Sequence, residues 1–171
     1  MAIRPIIELG NPLLRQPSRP VKQDELDVMG KLSLDMQDTL LDFRNRMGYG
    51  RGIAAPQVGV AKRVVVILDQ GNVQVLINPK LIDKSEELFT VWDSCFSYPG
   101  IWFQVPRHRQ VKMEYRDLNW QVRTKAAEGA LAELLQHELE HLDGRLALDL
   151  ADTKTFCTTN EYYNRYWQPD E

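Results

Sequence analysis

Between Asp24 and Met47 the apolar residues Met29, Leu32, Met36, Leu40, Phe43 and Met47 recur every three or four positions, the spacing of one buried helix face. This predicts an amphipathic helix ending at Gly48, and its methionine-rich stripe reads as core packing rather than as a cofactor box. Ahead of it, Pro5, Pro12, Pro17 and Pro20 forbid a long helix, so an extended, turning segment is expected to wrap the domain. After Gly48 the period changes. Arg63 to Asp69 is valine-rich, Val73 to Ile82 is a second strand pattern, and Gly71-Asn72 between them marks a hairpin. Thr90 to Ser97 and Gln104 to Arg116, interrupted by Pro99-Gly100, read as further strands. Gln121 to Lys125 follows a turn over Asp117 to Trp120 and reads as one more. From Ala126 to Leu142 the spacing is helical again, with Gly144 as its cap. The aromatic tail with Tyr162, Tyr163, Tyr166 and Trp167 predicts a last short helix. Strands gathered between two helices predict an α+β fold, with antiparallel or mixed sheets packed around a C-terminal helix and an amphipathic helix at the N-terminus.

At 171 residues the chain suits one domain, and its net charge of −3 is spread over mixed acidic and basic positions. That distribution lacks the electrostatic footprint of a nucleic-acid or anionic-membrane partner. No stretch approaches the roughly 20 apolar residues of a membrane span, and MAIRPIIELGNPLLR has neither a long apolar core nor a small-residue cleavage site. A cytoplasmic protein is expected. Cys95 and Cys157 are the two cysteines, too few for a disulfide framework.

The chemistry gathers in Gln136-His137-Glu138-Leu139-Glu140-His141-Leu142-Asp143-Gly144. On a helix, His137 and His141 stand one turn apart on one face and can share a metal ion, while Glu138 can reach a water on it. This His-Glu-x-x-His spacing is the signature of metal-assisted hydrolysis. The chain has three histidines, and two stand here among Leu134, Leu135, Leu139 and Leu142, which read as core. A catalytic site of this kind keeps three protein ligands and one open position. No third histidine follows at the metzincin spacing, since Gly144 is succeeded by Arg145-Leu146-Ala147. Two candidates remain: Glu161, downstream as in thermolysin-like proteases, and Cys95, whose competing role is that of a small buried hydrophobe. The run Gly50-Arg51-Gly52-Ile53-Ala54-Ala55-Pro56-Gln57-Val58-Gly59 lacks the Lys-Ser/Thr ending of a phosphate loop, and its glycines suggest close approach by another backbone.

Trp92-Asp93-Ser94-Cys95-Phe96-Ser97, with Gly50-x-Gly52-x-Ala54-Ala55-x-Gln57 before it and Gln136-His137-Glu138-x-x-His141-Leu142-x-Gly144 after it, resembles the three ordered motifs of the peptide deformylases. Those motifs run G-x-G-x-A-A-x-Q, E-G-C-x-S and Q-H-E-x-D-H-L. The likeness extends from Ile6 to Leu150 and takes in Ile77-Asn78-Pro79 and Val105-Pro106-Arg107. It implies one deformylase-like domain over residues 1–171 in which Cys95, His137 and His141 hold one divalent metal ion. Fe(II) is the family's usual ion, and zinc, nickel or cobalt can take its place. Glu138 would act as base and then acid, and the Gln57 side-chain amide and Phe96 backbone N–H would stabilise the oxyanion. The implied substrate is an N-formylated peptide or nascent-chain N-terminus, which releases formate. It would lie as an added strand beside Gly52, with Arg51, Ile53, Ala130, Glu133 and Leu134 around the residue after the formyl group. A thermolysin-like peptidase using Glu161 is the enzyme rival. A deformylase-like module that binds without turnover is the other, and the presence of Gln57 and Glu138 weighs against it.

The chain departs from the motifs at Asp93 and Ser94, which stand for Glu and Gly, and at Glu140, which stands for Asp. The family's glutamate pairs with an arginine that matches Arg107, so the shorter Asp93 must reach farther or pair differently. Ser94 adds a side chain and restricts φ. Arg51 and Glu133 put opposite charges at wall positions that the family keeps apolar for methionine. Either they lean out to solvent and methionine still fits, or they pair inside the pocket and shift its preference. From Glu161 to Glu171 the tail has one arginine and three acidic residues, which is not the charge that holds ribosomal RNA.

Overall fold

The structure is a computed structural model, and it describes residues 2–168. The first helix, α1 (Leu26–Met47), follows a single 3-10 turn at Gln23–Glu25 and stops at Gly48, whose φ of 82° suits glycine. Two antiparallel sheets follow. The larger has five strands in the order β1 (Gly52–Ala54), β2 (Val64–Asp69), β3 (Asn72–Lys84), β6 (Gln110–Arg116) and β7 (Val122–Glu128). The smaller pairs β4 (Leu88–Asp93), β5 (Ile101–His108) and β8 (Cys157–Thr158). Helix α2 (Ala130–Leu142) carries His137, Glu138 and His141, and a shorter helix, α3 (Thr159–Arg165), comes after it.

The valine run in β2 is buried on both sides, because each sheet face meets a helix. Val64 and Val66 pack with Met29, Leu32, Met36, Leu40 and Phe43 of α1, while Val65 and Ile67 pack with Leu135, Leu139 and Leu142 of α2. Helix α2 is also tied to the smaller sheet, since the Gln136 side chain accepts from the His108 N–H and donates to its carbonyl, both at 2.9 Å.

Three boundaries differ from the sequence expectation. The expected strand from Gln104 to Arg116 is two strands, one in each sheet, and the chain turns at Arg109, whose N–H donates to the Glu87 carbonyl. The strand expected to Ser97 ends at Asp93, which releases Cys95 into a turn. Ala126 to Glu128 belong to β7, because Ala127 pairs with Val111, and Gly129 (φ 58°) makes the break before α2 starts. Sheet pairing there outweighs the helix propensity of two alanines.

The N-terminal segment binds all three motif regions through its backbone. Ile7 N–H donates to the Gln57 carbonyl (2.8 Å), Leu9 N–H to that of Ser97 (2.7 Å) and Ser18 N–H to that of Leu142 (2.8 Å). Past α2, Gly144 (φ 70°) lies so close to this segment that a Cβ would sit 2.6 Å from the Arg15 carbonyl oxygen. Gly144→Ala is therefore expected to lower stability by about 1–3 kcal/mol. Urea unfolding checks this, and a midpoint equal to the wild type's would show that the contact relaxes freely.

Candidate metal centre and substrate cavity

The helical spacing of α2 puts the His137 and His141 rings side by side, with centroids 5.1 Å apart, and the turn after β4 brings Cys95 to them. The ligating atoms of these three residues lie within 4.8 Å of one another, and Cys95 Sγ is 3.3 Å from His141 Nε2. All three are buried. Bonds of about 2.0–2.3 Å to a tetrahedral ion place its ligands some 3.3–3.7 Å apart, so one thiolate and two imidazoles fit a cation here with small adjustments. Glu161 is elsewhere: it is exposed on α3 and pairs with Arg165.

Around these three residues runs a buried polar chain. Asp93 Oδ2 is 3.0 Å from His137 Nδ1 and 3.0 Å from the Arg107 guanidinium, whose other nitrogen reaches Glu140 Oε1 at 2.5 Å. Asp93 thus does reach Arg107, and it orients His137 as well. An Nδ1–H committed to this carboxylate leaves Nε2 of His137 for an ion. The Ser94 backbone is also unstrained, because it is not among the non-glycine residues with positive φ, which are Gln70, Asn78 and Trp120 among the described residues.

Burial sets the electrostatics. It disfavours charge on His137, yet the Asp93 carboxylate raises that ring's pKa well above the ordinary histidine value. Burial and the charge of His137 push His141 well below it. The Asp93 carboxyl is held below the usual range against burial, by His137 and Arg107. Glu138 is raised from 4.5 to about 7, chiefly by burial and further by the Asp93 and Glu133 carboxylates.

A cavity of about 140 Å³ opens over Cys95, His137 and Glu138. Gly52 borders it, and a Cβ there would sit 2.5 Å from Glu138 Oε1, so the glycine makes room for that carboxylate. Gly52 belongs to β1, an edge strand paired with β2 on one side. Since Leu68 N–H donates to the Arg51 carbonyl (2.7 Å), antiparallel alternation turns the Gly52 N–H and C=O to the unpaired edge. Gln57 is buried in the wall. Its Oε1 accepts from Ala54 N–H (2.9 Å), and its Nε2 lies 3.2 Å from Ser97 Oγ and 3.4 Å from Cys95 Sγ. Phe96 follows Cys95, and its ring stacks on Phe43 at 3.7 Å.

Arg51 and Glu133 both line the cavity and pair with each other at 2.5 Å, and Arg51 also donates to the Ala130 carbonyl (2.9 Å). Glu133 is buried in this pair while Arg51 is half-exposed, so they do not lean apart into solvent. Burial and Asp93 raise the Glu133 pKa against the pull of Arg51. Leu134 lines the cavity, but Ile53 and Ala130 do not. Ile53 is fully buried with Val64 and Val66 on the α1 side of its sheet. Ala130 is exposed at the first position of α2, about 10 Å along the axis from His137. Tyr49, Trp92 and Trp102 line the cavity and were not anticipated. Trp92 flanks the second motif and was findable from that, whereas Trp102 arrives only through the pairing of β5 with β4.

The sequence profile of the polypeptide deformylases matches residues 3–156. A peptide deformylase of Leptospira biflexa is 36% identical over 170 residues, covering 91% of this chain and 92% of the relative. One from Desulfitobacterium hafniense is 43% identical over 152 residues, covering 88% and 96%. Among solved structures, a class I type b peptide deformylase from Acinetobacter baumannii bound to Met-Ala-Ser superimposes with a TM-score of 0.81. It is 30% identical and covers 87% of this chain and 98% of its own.

The Glu138 shift has a consequence for stability. With its pKa raised on folding, this carboxyl's favourable contribution is complete below 4.5 and is lost as pH rises through about 7. In the metal-free protein Glu138→Gln is therefore expected to be more stable than the wild type at pH 8, by about 1–3 kcal/mol, and not at pH 4.5. Urea unfolding at the two pH values measures this, and an equal difference at both would contradict it.

Proposed function

This chain belongs to the polypeptide deformylase family of hydrolases, and from that premise we propose that residues 1–171 form one domain that removes the formyl group from N-formylated peptides and releases formate. The observation that carries this reading is the meeting of Cys95, His137 and His141 beside the Glu138 carboxyl, in a cavity bordered by the free edge of β1. A divalent cation held by those three residues would activate water and polarise the formyl carbonyl, and the family resemblance favours Fe(II), with zinc, nickel or cobalt as alternatives.

The chain's own groups do the rest. Glu138, with its raised pKa, takes the proton of the attacking water and passes it to the departing amine. The Gln57 amide and the Phe96 N–H donate to the oxygen on which charge develops. The Gly52 backbone receives the peptide as an added strand. The Acinetobacter relative solved with Met-Ala-Ser supports a peptide as the bound species. The partner is then a nascent-chain N-terminus in the cytoplasm. None of the helices is long and apolar enough to cross a membrane among the described residues. The acidic tail gives no support to ribosome docking, and its residues 169–171 lie outside the described part.

The Arg51–Glu133 pair supports a finer reading of the substrate. It replaces part of an apolar wall by hydrogen-bonding groups, so the preference for the residue after the formyl group moves from methionine toward polar side chains.

Formate release after anaerobic Fe(II) loading tests the reaction. The wild type should turn over, Glu138→Gln should lose about 10²–10⁴-fold in kcat, and Cys95→Ala should lose the metal while Glu161→Ala keeps it. The reverse metal result for the last two variants would replace this assignment by the thermolysin-like one. Across formyl-Met, formyl-Ser and formyl-Gln peptides, the double variant Arg51→Ile with Glu133→Ile should regain a methionine preference that the wild type lacks. A strong methionine preference in the wild type would refute the role given to the pair.

A further inference from the structure

Trp92 and Trp102 both line the cavity, and both are held by a part of the chain beyond the family match, which ends at residue 156. Strand β8 brings that part in, pairing Cys157 with Trp102 and Thr158 with Ile101, and Thr159 N–H donates to the Gly100 carbonyl at 3.1 Å. Helix α3 then lays its rings on the wall. Tyr162 stacks on Trp102 with centroids 3.9 Å apart and planes within 2°, and the Trp102 indole N–H donates to Thr159 Oγ1 at 3.2 Å. Tyr166 stacks on Trp92 at 4.6 Å, and Tyr49, which also lines the cavity, meets Trp102 edge-on at 5.2 Å.

Resting on the deformylase reading, we propose that Tyr162 and Tyr166 are positioning residues: through Trp102 and Trp92 they complete an aromatic subsite for apolar or aromatic side chains of the peptide downstream of its first residue. The cavity floor holds the chemistry, and Arg51 with Glu133 occupy another part of its lining. The aromatic wall is built from Trp92, Trp102 and the α3 rings stacked on them, whereas proton transfer and oxyanion contacts are assigned to other residues of the lining, Glu138, Gln57 and Phe96. Its contribution therefore belongs to peptide binding, not to the chemical step. A stacked ring pair also depends on the ring rather than the hydroxyl, so phenylalanine can replace tyrosine in this role.

The test uses the metal-loaded full chain and three substrates, formyl-Met-Ala-Ser, formyl-Met-Phe-Ala and formyl-Met-Ala-Phe. Tyr166→Ala is the first variant, since Tyr166 is exposed and its loss leaves the core untouched; Tyr162→Leu is the second. Both should raise KM for at least one phenylalanine peptide by about two- to twelvefold relative to formyl-Met-Ala-Ser, the equivalent of one aromatic pair, with kcat unchanged. Tyr166→Phe should restore the wild-type KM. Unaltered KM on all three substrates, or an equal loss of kcat on all three without rescue by phenylalanine, overturns the proposal. Formate release by the wild type tests the reaction separately. Titrating tryptophan fluorescence with the products Met-Phe-Ala and Met-Ala-Phe needs no turnover. Weaker binding of either by Tyr166→Ala than by wild type is expected even from a protein that releases no formate, and equal binding of both refutes the aromatic subsite.

Discussion

Asp93 accepts from two partners at once, the His137 ring and the Arg107 guanidinium, and the architecture around the Cys95–His137–His141 cluster depends on that shared oxygen. Asp93 ends β4, Arg107 lies on β5 and His137 lies on α2, so one carboxylate joins the smaller sheet to the helix that carries the histidines. Arg107 is 1% exposed, and a cation so deep is tolerable only with carboxylates against it; Asp93 and Glu140 supply them. The same oxygen fixes which nitrogen of His137 faces Cys95. Support of the buried Arg107 and orientation of His137 are therefore one interaction, and aspartate in place of the family's glutamate is accommodated by it.

The second constraint is steric. Gly52 lets the Glu138 carboxylate come within a distance that a Cβ would forbid, and Gly50 does the same for the Phe96 ring, which a Cβ would meet at 2.3 Å. These two glycines bring the edge strand against the other two motif regions. The N-terminal segment then fastens all three from outside through backbone hydrogen bonds to Gln57, Ser97 and Leu142. Because those bonds use main-chain atoms, the segment needs extended geometry more than particular side chains, which its prolines favour.

The cavity over this centre has walls of two kinds. One part of the lining is the paired charges of Arg51 and Glu133, and another is the indoles of Trp92 and Trp102, on which the rings of α3 stack. Cys95, His137 and Glu138 belong to the matched region, whereas part of the support for the indoles comes from residues after it. On the proposed reading, peptide binding and proton transfer fall to different side chains, so selection among peptides can change while the reaction stays constant.

What is local or periodic was legible in the chain. The helical repeat put His137, Glu138 and His141 on one helix, the methionine stripe marked the buried face of α1, and Gly71-Asn72 marked the β2–β3 hairpin. The three motifs in order led to the family, and the nature of the donors limited the chemistry. The rest came from how the elements pack. Packing chose Cys95 over Glu161 as the residue beside the histidines, split one apolar run between two sheets at Arg109, extended β7 over alanines suited to helix, and turned Ile53 into the core. It also paired Arg51 with Glu133 and laid α3 on two tryptophans. The physical reason is one of range. Periodicity and turn chemistry are carried by neighbours in the chain, whereas which charges meet and which rings stack depends on how separate elements pack, and no local pattern records that.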